Sequence, residues 1–243
     1  MNDIFIDRDS FNVWKEAYYP KTKRGVSVVT SMYSPYFLDD SEADNNGEWT
    51  SAVTLGLFVN NNPKKKKCPT YGKVCAILFS LFPAQILSPN RVVAHAKNLC
   101  FNYLNNSDIR TNEGWQPDLF IVPGEEGISS NLVAEIKAKN GDVPVKRFMY
   151  REHGKSLDNL LKRAMMKISE RRIFVASHPA NKGELRNMDE GFIHQITSYP
   201  ILESRATMWA LCQAIVYLES NGMFDPENNV LSIKGMEKPF YGP

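Results

Sequence analysis

Apolar residues fall along this chain in two rhythms, short dense runs and a helical spacing of three to four, separated by polar stretches rich in turn formers. Residues 51–60 and 72–82 are dense in β-branched and aromatic residues and predict two strands. Between them lie Asn61, Asn62, Pro63, four lysines, Cys68 and Pro69, which predict the tip of a hairpin. Ser88-Pro89 opens a helix, serine as N-cap and proline in the first turn. Val92, Ala96, Leu99 and Tyr103 carry its apolar stripe to about Leu104. Residues 107–112 predict a short strand. A second helix begins at Ser156, with Leu157, Leu160, Leu161, Ala164, Met165 and Ile168 on one face, and 172–177 follows as a short buried strand. A last helix runs from about Glu203 to Ser220. It is apolar all round between Met208 and Leu218 and ends at the C-cap signal Asn221-Gly222.

Residues 115–139 hold the strongest chemical pattern. Two apolar runs, Trp115 to Val122 and Leu132 to Lys139, flank a stretch of glycine, serine, asparagine and glutamate, which predicts a β-hairpin. With its turn near Gly127, Asp118 lies across from about Ile136, beside Glu135 and Lys137. Side chains alternate along a strand, so Glu135 and Lys137 share one face while Ala134, Ile136 and Ala138 take the other. Two carboxylates and a lysine then converge on one patch and need partners or a metal to offset desolvation. Two carboxylates suit a hard cation such as magnesium, which keeps several waters and binds phosphate oxygens. The same residues also suit a plain exposed strand with a surface salt bridge.

Pro117-Asp118 followed by Glu135-Ile136-Lys137 resembles the signature of the PD-(D/E)xK nuclease superfamily. The resemblance implies an α/β fold, a central mixed sheet flanked by helices with a restriction-endonuclease-like core. It implies that Asp118 and Glu135 hold Mg2+ or Mn2+, that the Ile136 carbonyl adds a ligand, and that Lys137 orients or activates the attacking water. The predicted order helix, strand, hairpin, helix, strand over 88–177 is that superfamily's core order. Residues 1–87 and 178–243 are then elaborations of a single domain, 1–243. Many members place a glutamate on the first helix; this helix has no acid. Viral cap-snatching endonucleases use a histidine there, which His95 matches, and Glu113 is a competing ligand. Gln213 and Tyr217 resemble the Gln-x-x-x-Tyr motif of RecB-like nucleases, though they lie much further beyond the lysine. A hydrogen-bonded core glutamine is the favoured reading of Gln213.

Charge refines the picture. The 243 residues carry a formal charge of only +2, so the chain as a whole is no basic coat for nucleic acid. Between 146 and 172, however, nine lysines and arginines face three acids, interleaved with Phe148, Tyr150 and His153. That suits contact with a phosphate backbone and bases, with Lys146, Arg147, Arg151 and Lys155 as leading contacts. Lys64 to Lys67 read as a nuclear import signal, a phosphate contact or a solvated loop. The four cysteines are scattered, with no zinc-knuckle or disulfide framework. No apolar run approaches bilayer length and the first residues are acidic rather than signal-like, so an intracellular setting without a membrane partner is expected. The function expected is metal-dependent hydrolysis of DNA or RNA. The alternative is a nucleic-acid- or partner-binding protein that keeps the fold without cleavage.

Overall fold

A computed structural model describes residues 12–14, 27–37, 49–60, 66–85, 88–101, 117–124, 128–153, 156–176 and 206–225. Among these residues seven strands form one sheet: β1 (Asn12–Trp14), β2 (Ser27–Tyr33), β3 (Trp49–Val59), β4 (Val74–Gln85), β5 (Leu119–Pro123), β6 (Val145–Phe148) and β7 (Ile173–Ala176). Their order is β1-β7-β4-β3-β2-β5-β6. β3 runs antiparallel to both its neighbours and every other pairing is parallel. Among the described residues four helices accompany them: α1 (Pro89–Phe101), α2 (Ile128–Lys139), α3 (Leu157–Ser169) and α4 (Ala206–Ser220). The expected mixed sheet flanked by helices is therefore present. The sheet's middle comes from residues 27–85, however, and does not follow the order helix, strand, hairpin, helix, strand. The strand expected at 107–112 lies outside the described residues.

Strand alternation sorts the core into two layers. Val29, Tyr33, Leu119, Ile121 and Phe148 face α3 and α4, while Val28, Met32, Phe120, Val122 and Val145 face α1 and α2. β3 and β4 obey the same alternation, with Val53, Leu55 and Leu57 on the first face and Ala52 and Phe58 on the second. α4 is buried on nearly every side, as its composition predicts, and Gly222 takes a φ of 66° at its end. Ser156 caps α3 by accepting from the Asn159 amide at 3.2 Å.

The main correction concerns 128–139, which is a helix and not the second arm of a hairpin. Leu132, Val133 and Ile136 are buried while Ala134, Glu135, Lys137 and Ala138 are exposed. That is the i, i+1, i+4 stripe of a helix lying on a sheet. Gly141, at φ 58°, marks its C-terminal turn. The unit is β5-α2-β6, a crossover between parallel neighbours.

Gln213, deep in α4, joins four elements. Its Nε2 donates to Ser31 Oγ at 3.0 Å and to the Met32 carbonyl at 3.2 Å, with the Ile121 carbonyl at 3.5 Å. Its Oε1 accepts from the Tyr150 hydroxyl at 2.6 Å. The core-glutamine reading is the observed one. Nearby, Tyr33 stacks on Trp209, Trp209 meets Tyr150 edge-on, and Phe148 packs between Tyr150 and His153.

Two consequences can be measured. Gln213→Leu removes the acceptor of the Tyr150 hydroxyl and the donor to Ser31 in an apolar layer, so denaturant unfolding should show a loss of about 2–6 kcal/mol, at about 1–3 for each of the two groups. An unchanged midpoint would contradict the clamp. His95 and His153 both have pKa values held below the ordinary 6.5, each chiefly by burial; beside His153 the Arg163 guanidinium adds to the effect, against Glu152 and Glu219. The folded chain then binds fewer protons than the unfolded one just below pH 6.5, so stability should fall as pH drops from neutral through that range. Unfolding at pH 7.5 and 5.5 should show the drop, smaller in His153→Gln; an equal drop in the variant would remove His153 from the account.

Candidate functional site

The sheet has two ends of different character. β2 and β5 pair in parallel only from Val29↔Leu119 to Ser31↔Ile121. From β2 the chain proceeds to β3 on one side, and from β5 through α2 to β6 on the other. The C-terminal ends of β2 and β5 thus form the switch point of the sheet, where open α/β sheets place ligands. Ser34 and Gly124 directly follow the two strands there, with Gln213 bridging the Met32 and Ile121 carbonyls. Buried hydroxyl groups hydrogen-bond one another beneath this end of the sheet. Ser34 Oγ accepts from Thr50 at 2.9 Å, and Ser51 lies 3.0 Å from Thr207.

Asp118 sits at the opposite end, immediately before β5. Its amide donates to the Val28 carbonyl at 2.7 Å and its Oδ2 accepts from the Val28 amide at 2.8 Å. The carboxylate therefore completes the ladder where β2 and β5 begin. Because α2 runs back from the end of β5 to the start of β6, its C-terminal turns return to this same end of the sheet. The expected hairpin register that would set Asp118 beside Glu135 is therefore replaced by a helix whose C-terminal turns approach the Asp118 end of the sheet.

Helical geometry separates the rest of the expected site. Residues two apart on a strand share a face, whereas on a helix they diverge by about 200°, so Lys137 turns away from Glu135. Glu135 instead pairs with Lys139, one turn on, at 3.9 Å with both side chains 55% exposed. Such a pair contributes at most a few tenths of a kcal/mol. Ile136 is buried, and its carbonyl accepts the Asn140 amide at 3.1 Å. His95 lies on α1, half-buried, its Nε2 buried with no hydrogen-bond partner among the described residues. Among the described residues no three His, Cys, Asp or Glu side chains come together as a metal shell. Cys75 and Cys212 offer no thiolate either, since burial pushes both up to about 12. Glu113 and Lys155 lie outside the described residues. Tyr217, four residues beyond Gln213, is half-buried and is raised by that burial.

The basic stretch divides. Lys146 and Arg147 are exposed on β6, the last strand on its side of the sheet. Arg151 is exposed in the short turn Tyr150–Glu152. Arg163, Lys167 and Arg172 are each engaged by acids. Lys66 and Lys67 are exposed in the β3–β4 loop. No described helix is long and apolar enough to cross a membrane. The sequence reading missed β2, whose signal was the β-branched run Val28, Val29, Thr30, and with it the switch-point crevice.

Comparison with known proteins gives a fold and no family. No family model matches the chain, and no curated protein matches it. Among solved structures it is similar to the human cytomegalovirus terminase nuclease domain soaked with manganese. The TM-score is 0.52 at 10% identity, over 93% of this chain and 98% of that one. The same domain with inhibitor bound gives 0.50 at 9% identity, over 93% and 97%. Nearly the whole of the chain thus has the fold of a viral terminase nuclease domain.

Proposed function

We propose that this chain acts on nucleic acid as a metal-dependent phosphodiesterase. The observation that carries the reading is the shared fold, spanning nearly all of both chains, with a nuclease domain studied in manganese. Divalent metal, Mg2+ or Mn2+, would supply the charge stabilisation that phosphodiester hydrolysis requires. The sequence pattern proposes Asp118 and Glu135 as its ligands and Lys137 as the group on the water. The described donors fit that set poorly. Asp118 is occupied with the start of the sheet, Glu135 stands in solvent beside Lys139, and Lys137 faces another way. We place the reaction instead at the crevice between the C-terminal ends of β2 and β5. In the sequence Gly124 is followed directly by Glu125 and Glu126, two acids with the hard oxygens such a metal prefers.

A second reading is favoured by one specific observation: among the described residues no three His, Cys, Asp or Glu side chains come together to hold a metal. The chain would then bind nucleic acid, or a partner, without cutting it. Nuclear entry directed by Lys64 to Lys67 is a separate proposal, supported by the exposure of Lys66 and Lys67. Equal distribution of wild-type and four-alanine fluorescent fusions in eukaryotic cells would dispose of it.

Single- and double-stranded DNA and RNA should be incubated with the protein in manganese, magnesium and EDTA. Metal-dependent cleavage is expected, lost in Glu125→Gln or Glu126→Gln, and kept within a few-fold in Lys137→Ala. Loss in Asp118→Asn and Glu135→Gln alone would return the site to the other end of the sheet. No cleavage of any substrate by a wild type that binds nucleic acid would establish the second reading.

A further inference from the structure

The basic stretch 146–172 does not act as a unit once folded. On and just after α3, three of its cations are answered from within the protein, while Lys162 is exposed. Arg163 lies 3.3 Å from Glu219 and donates to Ser220 at 2.8 Å, Lys167 is 3.4 Å from Glu170, and Arg172 is 2.7 Å from the same glutamate. On β6 the situation is different. Lys146 and Arg147 are both exposed, and among the described residues no acid pairs with either. Adjacent strand residues point to opposite faces. Lys146 therefore belongs to the face of Phe148, under α3 and α4, and Arg147 to the face of Val145, under α1 and α2. The strand at this edge of the sheet is straddled by two cations that no acid among the described residues pairs.

Gly124 fixes where one of them goes. A Cβ on Gly124 would stand 2.6 Å from the Cβ and Cγ of Arg147 and 2.8 Å from its Cδ. The arginine stem thus lies flat across the end of β5, in the space that a side chain at 124 would fill. Its Cβ is fixed to the β6 backbone, so rotating the tip of the arginine could not relieve that clash. The Gly124 amide meanwhile donates to the Phe148 carbonyl at 3.1 Å, locking the two strands at this level. Lying over Gly124 carries the side chain from β6 toward β5, on the side of the switch-point crevice.

We infer that the β6 edge, with Lys146 and Arg147 astride it, grips the sugar-phosphate backbone of a nucleic-acid strand beside the crevice, and that Gly124 is the positioning residue for Arg147. This rests on the nucleic-acid reading above and adds where the strand is held. It also assigns no substrate contact to Arg163, Lys167 and Arg172.

The test is fluorescence anisotropy of a labelled oligonucleotide, single- or double-stranded, titrated with the full chain in EDTA at several salt concentrations. Lys146→Ala and Arg147→Ala should each weaken binding several-fold and lower the salt slope by about one. Arg147→Lys should keep the slope, and Lys167→Ala should change neither quantity. Gly124→Ala should match Arg147→Ala in affinity, and the double variant should be no weaker than either single one; thermal melts of each accompany the titrations. If Gly124→Ala does not fold, the two cation variants decide. Unchanged slopes in both, an equal loss from Lys167→Ala, or no binding by the wild type would overturn the inference. Cleavage with β6-independent binding would overturn this inference alone, whereas β6-dependent binding without cleavage would overturn only the nuclease reading.

Discussion

The amide of Gln213 is the contact around which the rest of the architecture is arranged. Parallel strands β2 and β5 stop pairing after Ser31↔Ile121 and diverge. At that level strand carbonyls lose their ladder partners inside an apolar layer, which is costly unless a donor is supplied. Gln213 supplies it from α4, to Met32 directly and to Ile121 at longer range, and its own oxygen takes the Tyr150 hydroxyl. One side chain thus ties the last helix, both strands of the switch point and the turn after β6. Trp209 and Tyr33, stacked at 5.4 Å, reinforce the same corner from the apolar side.

The crossover β5-α2-β6 decides the chemistry available to the chain. As a hairpin it would have put Glu135 and Lys137 side by side, opposite Asp118. As a helix it sends its N-terminus to the crevice and its C-terminus to the far end of the sheet. Asp118 becomes a structural carboxylate that starts the β2–β5 ladder, and Glu135 becomes one member of an exposed pair. The same crossover makes β6 the end of the sheet, which leaves Lys146 and Arg147 in solvent and brings Arg147 over Gly124. In the proposed function, binding and cleavage belong to one end of the sheet, and strand initiation lies at the other.

Much of this was legible in the sequence, and the failures have physical causes. β3, β4, α3, β7 and α4 declare themselves through dense apolar runs, the Ser156 cap and the Asn221-Gly222 stop. Residues 132–136 also carried the right signal, since Leu132, Val133 and Ile136 are spaced for a helix and Asn140-Gly141 is a helix stop. The Glu-x-Lys pattern suggested a two-residue period over the same stretch, and local sequence alone does not arbitrate between the two. β2 was hidden because Ser27, Thr30 and Ser31 make it look polar. In the fold all three are buried, and Thr30 bonds Thr54 at 2.8 Å and Ser31 bonds Gln213. Partners drawn from 24 and 182 residues away leave no trace in a local window.

The location of the metal is the claim on which the functional account turns. Paramagnetic broadening of backbone amide signals during a manganese titration reads it without requiring turnover. The account predicts broadening centred on Tyr33, Ser34 and Gly124 at the crevice, with Asp118 and Glu135 spared. Broadening centred on Asp118 and Glu135, or none at either end of the sheet, would contradict it.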